Sequence, residues 1–144
     1  MIQFFVPGQP KGKGRPRFDS RFKRAYTPQK SAEYERYISM CCRRKGGPAR
    51  MSGPLGVEID ARFAIPKQTT KKMRAQMDAG EIQPCKRPDL DNVAKSVLDA
   101  LNGVAYEDDK QVVRLIARKR YSECPGVMVT VYEIGEMDDE NRRN

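Results

Sequence analysis

Two periods run through the apolar positions of this chain. Val57, Ile59, Ala61, Phe63 and Ile65 fall on alternate positions, separated by Glu58, Asp60, Arg62 and Ala64. That alternation predicts a half-buried strand, which Pro66 ends. It turns Glu58 and Asp60 to the opposite face, as surface residues, with Asp60 near enough to approach an acidic pocket. Residues 2–6 predict a first strand, stopped by Pro7-Gly8. Val112, Val113, Leu115, Ile116 and Ala117, with Arg114, Arg118 and Arg120, predict another over 112–121. Cys124-Pro125-Gly126 then turns the chain, and Val127, Val129 and Val131 predict the second arm of a hairpin. The other period is helical. Thr27-Pro28 suits a helix start. Tyr34, Tyr37, Ile38, Cys41 and Cys42 follow as a core stripe, and Arg43-Arg44-Lys45 and Gly46-Gly47-Pro48 close it. Residues 67–79 predict a short, weakly apolar helix with Met73 and Met77, stopped by Gly80. The order β, basic loop, α, β, short α, α, β, β predicts an α+β fold. Its mixed sheet has roughly four strands, with the helices packed on one face. One domain is expected over 1–134, with 135–144 a frayed, polar and acidic tail.

The third helical stripe carries the chemistry. Val93, Val97, Ala100, Leu101 and Val104 predict an amphipathic helix over about 89–102, with Asn102-Gly103 as its stop. Asp91, Lys95, Asp99 and Asn102 form a second stripe at close to i+4 spacing. Asp89 and Asp91 stand at the helix mouth, behind Lys86-Arg87-Pro88, and Asp108-Asp109-Lys110 follows the helix. If the next strand packs beside the helix, Asp109 returns towards Asp89 and Asp91. Three carboxylates and Lys95 would then share a pocket. Such oxygen ligands suit a hard divalent cation, and Mg²⁺ takes few carboxylates besides waters and substrate phosphate. Spacing alone also allows structural roles. Asp89 suits an N-cap, Asp91 suits the helix dipole, and Asp91 and Lys95 suit an exposed i,i+4 ion pair.

Charge narrows the reading. The net charge is +9, and the first 50 residues hold 13 Lys and Arg against 3 acids. The last twelve hold 5 acids against 2 Arg. A basic body implies a polyanionic partner, most simply nucleic acid. The run from Gln9 through Arg24 alternates cations with Gly and Pro, which predicts an irregular loop able to approach phosphates. Lys11, Lys13, Arg15 and Arg17 in it, with Lys86 and Arg87, are the expected DNA contacts. There is no His, so His triads and His general bases are excluded. The four Cys form no C-x-x-C pair, which argues against a zinc site. No run approaches the roughly 20 apolar residues of a membrane span. Met1-Ile2-Gln3-Phe4 lacks the start of a signal peptide, so a cytoplasmic location is expected.

Asp89-Leu90-Asp91-Asn92-Val93-Ala94-Lys95, a helix closing on Asp99-Ala100-Leu101, and Asp108-Asp109-Lys110-Gln111-Val112-Val113 resemble the RusA family of Holliday junction resolvases. The Lys-Arg-Pro lead-in resembles it too, and the Gln9-Pro10-Lys11 opening is similar to phage- and prophage-type members. The resemblance implies a dimeric, Mg²⁺-dependent, structure-specific endodeoxyribonuclease, with Mn²⁺ as the substitute ion. It would nick four-way DNA junctions symmetrically in recombination and repair, with no small-molecule cofactor. The family's catalytic acids fall on Asp89, Asp91 and Asp109, its essential lysine on Lys95, and its supporting acid on Asp108. Two other readings stay open at this point. One is a PD-(D/E)-x-K nuclease, which Pro88-Asp89 and Asp108-Asp109-Lys110 satisfy literally. The other is a non-catalytic nucleic-acid-binding module, with salt-dependent binding and no need of metal.

Overall fold

The computed structural model describes residues 1–13, 17–19, 24–26, 29–46 and 50–135, the two short segments at backbone level. The chain folds as an α+β unit. The main sheet has four strands in the order β1-β6-β4-β5: β1 (Ile2–Pro7), β4 (Leu55–Ala64), β5 (Val112–Ser122) and β6 (Gly126–Glu133). β2 (Arg17–Asp19) and β3 (Arg24–Tyr26) form a separate antiparallel pair. The helices are α1 (Gln29–Arg44), α2 (Lys71–Asp78) and α3 (Leu90–Ala100), and a short 3₁₀ turn spans Asp109–Gln111.

Most elements stand where the periodicity predicts them, and three do not. The expected hairpin between the last two strands does not form. β6 inserts between β1 and β4, antiparallel to both, while β5 pairs parallel to β4 on its far side. The burial of the strands accounts for this order. Val127, Val129, Val131, Thr130 and Tyr132 of β6 are all buried, so both its faces are covered and it belongs in the centre. β5 alternates with arginines and leaves Val113, Leu115 and Ile116 exposed, which an edge strand tolerates. The second difference lies in the basic loop, where β2 and β3 give regular structure to part of a run expected to have none. The third is α2, which begins only at Lys71. Thr70 caps it, its hydroxyl accepting from the Met73 N–H, and Lys67–Thr69 stay outside. The Thr27-Pro28 helix start lies outside the described residues, as do Gly47, Pro48 and the tail beyond 135.

The core lies between the sheet and the helices. Val57, Ile59, Ala61 and Phe63 of β4 point into it, opposite Tyr34, Ile38 and Cys42 of α1 and Val93, Val97 and Leu101 at α3. Each fully buried Val or Leu contributes about 1.5–3 kcal/mol, so this stripe holds α3 in place. α1 and α3 are also clasped by the Ser39 hydroxyl, which donates to the Ala100 carbonyl at 2.7 Å. Two glycines admit large rings on the sheet's other face. A Cβ at Gly56 would lie 2.2 Å from the Tyr132 ring, and one at Gly126 2.2 Å from the Phe5 ring. Asp60 belongs to that outer face and does not join the acidic helix mouth. It is gripped by Arg120 and Arg62, at 3.0 and 3.1 Å.

Candidate active site

The site is built on the solvent-facing stripe of α3. Packing of Val93, Val97 and Ala100 against the core turns Asp91, Lys95 and Asp99 outward at successive i+4 positions. At the helix start, Asp89 has the extended backbone of an N-cap residue (φ −64°, ψ 145°), and its carbonyl accepts from the N–H groups of Asn92 and Val93. Its carboxylate, however, makes no capping hydrogen bond. The structural role that the sequence offered Asp89 is therefore not taken up. Asp91 is exposed and forms no ion pair among the described residues. Lys95 turns instead to Asp99, 3.6 Å away, in place of the Asp91 partnership that spacing allowed.

A strap of the basic loop crosses this helix start. The Lys13 N–H donates to the Asn92 carbonyl at 3.0 Å. Gly12 lies so close that a Cβ there would meet Pro88 Cβ at 2.9 Å and Asn92 Cβ at 3.0 Å. The result is an open cleft of about 740 Å³, lined by Lys11, Gly12, Lys13, Arg87, Asp89 and Asn92 among others. Cations from one end of the chain thus face the acid motif from its middle. Lys11 lies 5.8 Å above the Tyr34 ring. Lys86 sits over the Tyr121 ring at 5.6 Å, and its carbonyl accepts from Lys119 Nζ at 2.6 Å. Arg15 lies outside the described residues, and Arg17 is described in its backbone alone.

The second acidic pair is pinned to the far end of α3. Gly103 takes the left-handed turn (φ +75°) that ends the helix. Tyr106 is fully buried and donates its hydroxyl to the Leu98 carbonyl at 2.7 Å. Asn102 Oδ1 then accepts from the Asp109 N–H at 2.8 Å. Asp108 does what was expected of Asp89. Its carboxylate caps the 3₁₀ turn, accepting from the Lys110 N–H at 2.9 Å, and Gln111 completes the capping box. Gln111 also donates to the carbonyls of Met51 and Gly53, tying the turn to the segment before β4.

The two neighbouring acids are shifted in opposite directions. Partial burial, the hydrogen bond shared with Asp108 and the negative charges of Asp108 and Asp99 push Asp109 up, against the pull of Lys95. The Lys110 N–H and the hydrogen bond with Asp109 hold Asp108 down. Asp109 therefore sits in a crowd of negative charge that a cation would relieve. The donors available are all carboxylate oxygens, the chemistry that Mg²⁺ or Mn²⁺ prefers. Among the described residues, no three His, Cys, Asp or Glu side chains are gathered as a metal-binding group. Asp89 faces the strap cleft, and Asp109 lies within electrostatic reach of Asp99 and Lys95. The shared pocket of Asp89, Asp91 and Asp109 that spacing suggested is therefore not assembled as one group of ligands, and a cation held by any of them would draw the rest of its shell from water and phosphate.

Sequence reading placed none of Asp99, Asn102, Glu35 or Gln111 among the site residues. Asp99 and Asn102 were visible as the continuation of the Asp91–Lys95 stripe. Glu35 carried no local signal, since it meets Lys13 only through tertiary packing, at 2.5 Å.

Comparison with known proteins agrees with this architecture. The family model for endodeoxyribonuclease RusA matches residues 7–132. The chain is also 34% identical over 137 residues to the uncharacterized protein YqaN of Bacillus subtilis (strain 168), covering 92% of this chain and 96% of that protein.

Proposed function

The chain belongs to the RusA family of endodeoxyribonucleases, and we propose that it is a divalent-metal-dependent Holliday junction resolvase that nicks four-way DNA junctions in symmetric pairs. The observation that carries this reading is the unused carboxylate of Asp89 at the helix mouth, facing a cationic strap across an open cleft.

Asp89, Asp91 and Asp109 are the acids that would hold Mg²⁺ or Mn²⁺, with Asp108 supporting Asp109. When bound, the ion supplies a water of lowered pKa and positive charge for the scissile phosphate. The chain's own groups do the rest. Lys11, Lys86, Arg87 and the basic strap draw the DNA backbone towards an acidic centre that would otherwise repel it. Lys95 is 62% exposed and only loosely held by Asp99, so its ammonium is free to meet negative charge developing on the phosphate. Burial and its acidic neighbours push the Asp109 carboxyl above its ordinary value, a strain that a bound cation would offset.

Cutting a junction productively takes two nicks related by two-fold symmetry, which a homodimer with two such sites supplies. The setting is the cytoplasm of a bacterium or phage-infected cell. Among the described residues no helix is long and apolar enough to cross a membrane.

The test uses purified protein with a synthetic four-way junction and a linear duplex of equal length, with and without Mg²⁺ or Mn²⁺. The junction is nicked at paired positions only with metal, and the duplex is spared. A folded dimer that leaves junctions intact with both ions overturns the proposal in favour of a non-catalytic binding module.

A further inference from the structure

Lys13 was expected to contact phosphate, but its side chain is turned inward. Its ammonium lies 2.5 Å from Glu35 Oε1 on α1 and 3.0 Å from Asp99 Oδ2 on α3. Lys95 stands 3.6 Å from that same Asp99 oxygen. Two lysines therefore share one carboxylate, and their exposures differ sharply. The Lys13 side chain is 13% exposed and Asp99 19%, whereas Lys95 is 62% exposed. Lys13 has the shorter contact and the more shielded setting, so it is the main counter-charge of Asp99. Lys95 is the looser partner, with its head towards solvent.

We propose that Lys13 is a positioning residue: by neutralising Asp99 it keeps the Lys95 ammonium from being drawn onto α3 and so presents it to substrate. The inference rests on the nuclease reading only for what Lys95 then does. Lys95 and Asp99 are an i,i+4 pair on one helix face, a spacing from which a lysine closes readily on an acid. Without Lys13, Lys95 is the sole cation in ion-pair contact with Asp99 among the described residues. Electrostatic attraction in this half-shielded setting is stronger than at an open surface. Lys95 would then be held against the helix, away from the cleft. The same pair anchors the strap, whose next contact is the Lys13 N–H on the Asn92 carbonyl.

The experiment compares the parent with Lys13→Met, Lys13→Arg, Asp99→Asn and the double variant Lys13→Met/Asp99→Asn. Three quantities are read: the single-turnover nicking rate at saturating protein with Mg²⁺, the junction Kd, and the rate at which acetyl N-hydroxysuccinimide labels Lys95 without DNA or metal, followed by mass spectrometry. Lys13→Met should slow nicking by about tenfold and slow Lys95 labelling, while Kd changes by less than about twofold. Adding Asp99→Asn removes the acid that would capture Lys95, so the double variant should regain most of both rates. Lys13→Arg, which keeps the charge, should also regain most of the nicking rate. Asp99→Asn alone should not slow labelling, which keeps the inference testable if Lys13→Met fails to fold. Three results overturn it. One is a Lys13→Met that weakens Kd while sparing the saturated rate, which marks a direct phosphate contact. Another is a double variant as slow as Lys13→Met, which marks a mere tether. The third is Lys95 labelling that does not respond to Lys13→Met. Labelling that follows the expected pattern in a parent protein that never nicks would overturn the nuclease reading and leave the positioning inference standing.

Discussion

The Asn102 side chain accepts the Asp109 N–H at 2.8 Å, joining the chain two residues past α3 to the acid that opens the next element. This hydrogen bond sets how far Asp109 reaches back along the helix towards Lys95. Its loss in Asn102→Ala should lower stability by no more than about 1 kcal/mol. If Asp109 holds the ion as proposed, displacing it matters more to chemistry, and junction nicking should fall on the order of 10–100-fold. Thermal melts and single-turnover nicking on one preparation separate the two effects. Loss of stability with unaltered nicking would mean that the bond only braces the loop.

Asp91 and Asp109 should behave differently from Asp108. Asp91→Asn and Asp109→Asn remove negative charge near phosphate, so they should abolish nicking and preserve or tighten junction binding. Asp108→Ala removes the cap of the 3₁₀ turn, so its principal effect should be a lower melting temperature. Gel-shift titrations beside melting curves give the comparison. Unfolding or loss of binding in both Asn variants would assign these acids to structure.

Lys95 offers the widest gap between a structural and a catalytic role. Its exposed pair with Asp99 is worth about 0.2–0.5 kcal/mol, so Lys95→Ala should barely alter melting or Kd. If Lys95 meets charge that develops in the transition state, nicking should fall by on the order of 10²–10³. Lys95→Arg should recover little, because a planar fork replaces a compact ammonium. Nicking by Lys95→Ala within a few-fold of the parent would remove Lys95 from the mechanism.

Gly12 tests the strap. The Cβ of Gly12→Ala would press on the Cβ atoms of Pro88 and Asn92, which cannot swing aside as a flexible side-chain end could. Overpacking of this kind costs about 1–3 kcal/mol, and a surface strap relieves it by lifting off the helix. Junction affinity should weaken by about tenfold, with a small change in melting temperature. Unchanged affinity would show that the strap need not lie on α3 to hold DNA.

Asp60 predicts part of the acid response. Burial alone would raise its carboxyl, but Arg120 and Arg62 outweigh that and hold it below its ordinary value. A depressed folded-state pKa contributes stability above the unfolded value of about 3.9 and loses it as pH falls through the folded value. Asp60→Asn should therefore melt lower than the parent at neutral pH, with the gap closing below about pH 4. Melts from about pH 7 to about pH 2 give the measurement. A gap that does not narrow in acid would mean that packing, not ionisation, is what Asp60 supplies.

Much of this protein could be read from local pattern, for a physical reason. A strand or helix must bury one face, and that requirement writes a period of two or 3.6 into the residues themselves. The stripes of β4, α1 and α3 were legible for that reason. So was the acid motif, because Asp91, Lys95 and Asp99 share a helix face whatever the helix packs against. The order of the strands had no such local trace. The turn at Cys124–Gly126 reads like a hairpin, and only the burial of both faces of β6 moves it away from β5 to the centre of the sheet.

The division of labour among the acids was likewise decided in three dimensions. Asp89 and Asp108 both precede a helical turn, and spacing made either one a cap. Asp108 took that role because Gln111 closes the box and is itself anchored on the Met51 and Gly53 carbonyls, about 60 residues earlier in the chain. Asp89 instead meets a strap from the far N-terminal end, leaving its carboxylate open to the cleft. The partners of Lys13 came from the same source. A lysine in a Gly-rich basic run looks like a phosphate contact, and nothing local says that Glu35 and Asp99 will converge on it. The sequence by itself determined which residues could do the chemistry. The tertiary structure decided which of them are tied to one another and which are left free, because ion pairs and caps depend on distances that only packing sets.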